Sequence, residues 1–172
     1  AYKNPYLMTD RLIRFTADGT FASAWPWYEA GTSLGGDIGD LDVGPDGDVY
    51  VTGALRDLGG VGLRRYTSGG SLVGQWADTN GGGGFTGAAI DLHGQLLTRA
   101  QVNGQPGLRQ YSSTGEPLAE WLPDGGGTPK GVATGPNGEL YVTVGDTVQK
   151  FGLSCGPEVG LSLVGNRDGG SV

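Results

Sequence analysis

Residues 131–151 read GVATGPNGELYVTVGDTVQKF. A small apolar run ends at the turn Pro136-Asn137-Gly138, a second run follows through Leu140-Tyr141-Val142, and after a turn at Gly145-Asp146 a third run ends at Phe151. Short apolar runs punctuated by Gly, Pro and Asn are the signal of strands joined by tight hairpins. Nearly the same line occurs twice earlier. Aligned on Gly47, Gly94 and Gly138, the copies are DLDVGPDGDVYVT (40–52), GAAIDLHGQLLT (87–98) and GVATGPNGELYVT (131–143). The closing threonines Thr52, Thr98 and Thr143 fall five, four and five residues after the glycine. The segment PYLMT, ending at Thr9, reads as the second half of a further copy.

Each copy runs on into a second pattern: RFTADGTFASAW (14–25), RYTSGGSLVGQW (65–76) and QYSSTGEPLAEW (110–121). Phe15 and Trp25, Tyr66 and Trp76, and Tyr111 and Trp121 are each ten residues apart, bracketing a Gly-containing turn, and Phe151 and Leu161 repeat the spacing in a degraded last copy. A period of about 40 to 50 residues with four short strands is the signature of a β-propeller blade. We name the strands a to d. Strand a precedes the Pro-Asp-Gly type of turn, b is the Val-Tyr-Val-Thr type, c ends at Phe or Tyr, and d ends at Trp. No capped apolar segment of helical spacing is present.

The repeat accounts for the composition. The chain has 172 residues and 36 glycines without a Gly-X-Y period, which fits many tight turns rather than collagen. Innermost strands converge on an axis, where Ala88, Ala89, Val132 and Ala133 suit the crowding. Trp25, Trp76 and Trp121 lie on outer strands and read as packing between blades.

The line GVATGPNGELYVTVGDTVQKF resembles NHL repeats, whose blades read Gly-Ile-Ala-Val-Asp-Pro-Asp-Gly-Asn-Val-Tyr-Val-Ala-Asp, then a loop, then Arg-Ile-Gln-Lys-Phe. The resemblance covers roughly residues 5 to 151 and is best over 131–151 and 40–66. It implies a propeller, usually of six blades. This chain holds strands b, c and d of one blade, two whole blades, and strands a, b and c of a fourth with a degraded last strand. The expected organisation is therefore NHL-like blades over 1–151, and a degenerate strand and tail over 152–172. Either the chain closes as a four-bladed ring, with LSLVG (161–165) as the closing strand, or it is part of a larger propeller. The second reading is the expectation, because only four residues precede PYLMT and the tail GNRDGGSV lacks apolar alternation.

Charge and single residues bound the chemistry. A net charge of −7 disfavours nucleic acid as the partner, and no apolar run approaches the ~20 residues of a membrane span. The one cysteine, Cys155, excludes an internal disulfide and reads as inert. Some NHL-type propellers are lyases or lactonase-like enzymes that hold a metal near the central channel with histidines or carboxylates. Here the one histidine, His93, sits in an a–b turn, so a three-histidine site within the chain is impossible. No nucleophile motif or phosphate loop occurs. Of the acidic segment DIGDLDVGPDGD, residues Asp37, Asp40 and Asp42 are weak calcium candidates, without EF-hand spacing. Asp42 stands where the other copies have Ala89 and Ala133, so it has to be paired or face the channel.

In an antiparallel blade the a–b and c–d turns share one face, and the b–c and d–a loops share the other. The latter, residues 26–37, 53–62, 77–86, 100–107 and 122–130, vary most and are the expected recognition surface. They carry Trp27, Tyr28, Arg56, Asp57, Asp78, Asn80, Gln101, Asn103, Asp124 and Lys130, with Trp27 and Tyr28 as the anchor candidates. The expectation is a non-enzymatic binding or structural module, secreted or at the cell surface, without a cofactor. Its partner would be another chain or a second copy that completes the propeller. The alternatives are a metal-dependent lyase or lactonase-type enzyme, and a lectin-like sugar binder.

Overall fold

The computed structural model describes residues 11–27, 35–55, 60–78, 87–154 and 160–168, with the backbone alone for 35–37, 78, 152–154 and 160–168. Strands account for nearly all of its regular structure, and no α-helix occurs among the described residues. A two-stranded sheet, β1 (Arg11–Phe15) and β2 (Phe21–Pro26), carries strands c and d of the first blade. The second blade is β3 (Gly35–Val43), β4 (Val49–Leu55), β5 (Gly60–Tyr66) and β6 (Leu72–Asp78). The third is β7 (Ala88–Ile90), β8 (Leu96–Val102), β9 (Gln105–Tyr111) and β10 (Pro117–Trp121). The fourth is β11 (Pro129–Thr134), β12 (Leu140–Val144), β13 (Thr147–Ser154) and β14 (Gly160–Asp168). Each full blade is an antiparallel meander in the order a-b-c-d. The expected first strand b, PYLMT, lies outside the described residues.

Six hairpin turns share one geometry. In the a–b turns Gly44 N donates to Asp48 O and Gly47 N to Gly44 O, and the same pair of bonds recurs at 91–95 and 135–139. The c–d turns repeat it at 16–20, 67–71 and 112–116. This is a type I turn closed by a left-handed residue, and the residue at that place is always Gly, with φ between 74° and 89°. The pattern that aligned the sequence copies is therefore a backbone requirement.

Apolar side chains alternate along each strand and pack between blades. Leu12, Trp27, Val51, Leu55 and Tyr66 fill the first junction, with Trp25 and Ile38 beside them. Tyr50, Leu63, Ala88, Ile90, Leu96 and Tyr111 fill the second, with Trp76 against them. Leu97, Leu108, Leu140, Val142, Val144 and Phe151 fill the third, with Trp121. Val51 and Tyr50, neighbours in β4, serve different junctions, as a period of two demands.

Trp25 and Trp76, each at the end of a strand d, also lie over the glycine of the next blade's c–d turn. A Cβ on Gly70 would meet the Trp25 ring at 2.8 Å, and one on Gly115 would fall inside the Trp76 indole. Gly19, the same turn position in the first blade, has nothing within 4 Å of such a Cβ.

Two expectations are corrected here. The tail is strand material as far as Asp168, because β14 pairs with β13 from Thr147↔Asp168 to Ser154↔Gly160 and the fourth blade has its own strand d. The b–c link of the third blade is not a long loop. Asn103 (φ 51°) and Gly104 (φ 75°) make a two-residue hairpin, and Gly145-Asp146 makes another.

Candidate functional site

Strand a is the edge strand of every full blade, and β7 lies against β3 on one side and β11 on the other. The free edges of these three strands converge, so their unpaired backbone groups line the axis. Alternation fixes which amides point there. Gly44 N, Asp91 N and Gly135 N donate across to strand b. The inner-edge amides are therefore those of residues 41 and 43 in β3, 88 and 90 in β7, and 132 and 134 in β11.

At the junction of β3 and β7 two carboxylates hold these amides in pairs. Asp42 Oδ1 accepts from Val43 N at 2.8 Å and its Oδ2 from Ile90 N at 2.7 Å. Asp40 repeats this one step along, with Oδ1 accepting from Leu41 N at 2.9 Å and Oδ2 from Ala88 N at 3.2 Å. Each acid joins equivalent amides of two successive blades. That is why an acid is tolerated where the repeat otherwise has Ala89 and Ala133: both oxygens accept charge-assisted hydrogen bonds. Among the described residues no group of three or more His, Cys, Asp or Glu side chains could hold a metal ion. The oxygens of Asp40 and Asp42 are spent on the backbone, and the side chain of Asp37 lies outside the described residues.

The junction of β7 and β11 is built differently. Its repeat positions for the two acids are Gly87 and Ala89, which carry no acceptor. The tie there is Thr134 Oγ1, which donates to Ile90 O at 2.9 Å. Register also corrects the sequence alignment. Counted through the conserved turn geometry, the position of Thr52 and Thr143 is taken in the third blade by Arg99, with no residue missing, and Thr98 matches Val51. Arg99 thus replaces a threonine beside the inner strand, and its Nη1 donates to Pro129 O at 3.0 Å.

The remaining candidates are dispersed. Trp27, expected as an exposed anchor, is fully buried, 0% exposed. Its indole lies 5.1 Å from the Arg64 guanidinium carbon, and its carbonyl accepts from Arg64 Nη1 and from the Tyr66 hydroxyl. It packs the first junction rather than anchoring a partner. Gln101 lies within β8, its carbonyl accepting from Arg109 Nη2 at 3.2 Å, and Asn103 is exposed in the hairpin after it. Asp124 is exposed in a single 3-10 turn whose carbonyl accepts from the buried Gln149 amide at 3.0 Å. Lys130 is exposed within β11. Asp78 ends β6, with only its backbone described, and Tyr28, Arg56, Asp57, Asn80 and Cys155 lie outside the described residues. His93 is on the opposite face, 65% exposed by its side chain, in a turn where its amide donates to Asp91 Oδ1 at 2.8 Å.

A groove of about 590 Å³ opens between the first two blades, lined by Leu12, Ile13, Trp25, Ile38, Leu41 and Val43 among others. Leu41 and Val43 are 49% and 54% exposed, whereas Ala88 and Ile90, their counterparts one blade on, are 6% and 5% exposed. In the repeat geometry this is the seat of the inner strands of the first blade.

No family model matches the sequence, and no curated protein matches it. Solved structures match as folds. Virginiamycin B lyase from Staphylococcus aureus superposes with a TM-score of 0.61 at 14% identity, covering 91% of this chain and 49% of that one. A gluconolactonase from Xanthomonas campestris gives 0.57 at 21%, covering 81% and 50%. A luciferin-regenerating enzyme gives 0.54 at 16%, covering 93% and 56%. This chain is a β-propeller segment, and it spans about half the length of the structures it matches. The matches overturn the expectation of a non-enzymatic binding or structural module, since these three propellers are all enzymes by name.

Proposed function

We propose that the chain is part of an NHL-type propeller enzyme of the lyase or lactonase kind, acting on a cyclic ester at the axial end of the inner strands. The observation that supports this most is the match of four-fifths or more of the chain to propellers named as a lyase and a gluconolactonase. The reading extends to the ring as a whole: further blades, in the same polypeptide or another, would complete the axis.

The donor set of the described residues does not fit a metal, because the two axial carboxylates already bridge four amides and His93 points to solvent on the other face. No step is therefore routed through one here. What this segment contributes is a rigid wall, held by the paired acids, and hydrogen-bond donors aimed at the axis. Fixed donors of that kind stabilise charge that develops on an ester oxygen as a ring opens.

The test is a pH-stat assay of the complete propeller containing this chain, with glucono-1,5-lactone and with a cyclic depsipeptide. The expected result is saturable acid release from the lactone above the buffer rate. Absence of turnover on both substrates would overturn the proposal, and turnover of the depsipeptide alone would transfer it to the lyase reading.

A further inference from the structure

The two inner junctions differ in one respect that has chemical consequences. At β3 and β7 every inner-edge amide of the described blades has a carboxylate oxygen: Leu41 and Val43 on one strand, Ala88 and Ile90 on the other. At β11 the equivalent amides are Val132 N and Thr134 N. Gly135 N donates to Glu139 O at 2.7 Å, so strand alternation turns these two toward the axis. The side chains that would reach them from β7 stand at Gly87 and Ala89, and neither carries an oxygen. Among the described residues no side chain accepts from either amide.

The junction also differs in packing and charge. A Cβ built on Gly87, where the second blade has Asp40, would lie 3.3 Å from Val132 Cγ2 and 3.9 Å from Arg99 Nε. So the third blade exchanges an acid for a glycine and, on the paired strand, a threonine for an arginine. The place an aspartate takes at one junction is crowded at the next by the Val132 methyl and the Arg99 side chain, while the two inward amides of β11 face the axis.

We propose that the inner edge of β11 is a carboxylate subsite, in which the carboxylate of a small organic acid, entering from the axis, accepts from the amides whose equivalents Asp40 and Asp42 cap one blade earlier. The chain itself shows that such an edge accepts carboxylates, because β3 and β7 carry two of them at 2.7–3.2 Å. One ligand oxygen accepts from Val132 N or Thr134 N, and the Arg99 guanidinium, tied to Pro129 O, adds the opposing charge. Both donors are backbone groups on a paired strand, so little ordering is needed on binding. The subsite does not depend on the enzymatic reading and stands whether or not the propeller opens lactones.

The experiment is a titration of the ¹⁵N-labelled chain with sodium acetate against sodium chloride at matched ionic strength, read by amide chemical shift. The expected result is a saturable downfield shift of the Val132 and Thr134 amides with acetate and none with chloride. Arg99→Gln should weaken the acetate response by about tenfold, the loss of one charge-assisted contact. Ala89→Asp, which restores the acid of the second blade, should shift Thr134 without acetate and remove its response to it. Ala89 is buried, so this variant is first checked for an unchanged amide spectrum elsewhere, and the parent titration decides alone if it fails to fold. An absent or non-saturating shift, an equal shift with chloride, or an unchanged response in Arg99→Gln would overturn the proposal.

Discussion

Replacing Asp42 with Ala removes the acceptor shared by Val43 N at 2.8 Å and Ile90 N at 2.7 Å. A hydrogen bond to a charged group contributes roughly 1.5–3 kcal/mol, so two set an upper bound of about 3–6 kcal/mol. Val43 is 54% exposed, and water replaces the acceptor at its amide; Ile90 is 5% exposed, and its amide loses more. The expected loss is therefore about 2–3 kcal/mol, or roughly 5–10 °C in Tm for a chain of this size. Asp40→Ala should cost less, about 1 kcal/mol, because its bond to Ala88 N is longer, 3.2 Å, and the residue is exposed. Asp42→Asn, which keeps one acceptor oxygen, should fall between them. Urea unfolding followed by tryptophan fluorescence measures all three. A loss below ~0.5 kcal/mol for Asp42→Ala, or a larger loss for Asp40→Ala, would refute the idea that these acids tie the inner strands.

The stacking of tryptophan on turn glycine separates into two variants. Gly19→Ala carries only the left-handed backbone strain of about 1–2 kcal/mol, whereas Gly115→Ala adds a clash with the Trp76 indole and should cost a further ~1–3 kcal/mol in the same unfolding assay. The Lys150–Glu139 pair, 3.2 Å apart, gives a pH dependence. The hydrogen bond from Lys150 is the main cause that holds the Glu139 carboxyl below its ordinary pKa, so its contribution is present above the ordinary carboxylate pKa and lost as pH falls through the depressed value. The hydrogen bond to Glu139 likewise raises the Lys150 pKa, so that contribution is present below the ordinary lysine pKa and lost as pH rises through the raised value. Glu139→Gln should remove both limbs from a pH series of melting temperatures, with little change near neutrality beyond a constant offset.

The fold was legible because its requirements are local. The left-handed glycines Gly47, Gly94 and Gly138, and Trp25 and Trp76, which pack on glycines one blade later, are demanded by backbone and packing at fixed offsets. The same logic exposed Asp42 as an acid in an apolar place. Its partner was not legible, because Ile90 is 48 residues away and contributes a backbone amide, which no residue type announces. Arg99 was missed for a related reason: matching Thr98 to Thr52 and Thr143 by identity hid the substitution that only the strand register reveals. Trp27 misled because departure from a repeat pattern marks a residue as special without saying whether it faces solvent or the core. The loop expected over 100–107 proved to be strand on both sides of Asn103-Gly104, since a type I′ hairpin needs only two residues, and of 53–62 the described residues 53–55 and 60–62 are strand.

Residue-resolved amide hydrogen exchange tests the axial account most directly, because it compares the same repeat positions in one molecule. Ala88 and Ile90, capped by Asp40 and Asp42, should exchange slowly, with Leu41 and Val43 intermediate. Val132 and Thr134, at the matching places in β11 without an acid from β7, should exchange fastest of the six in the absence of a carboxylate. Equal protection at Ile90 and Thr134, or slower exchange at Val132 than at Ala88, would contradict it.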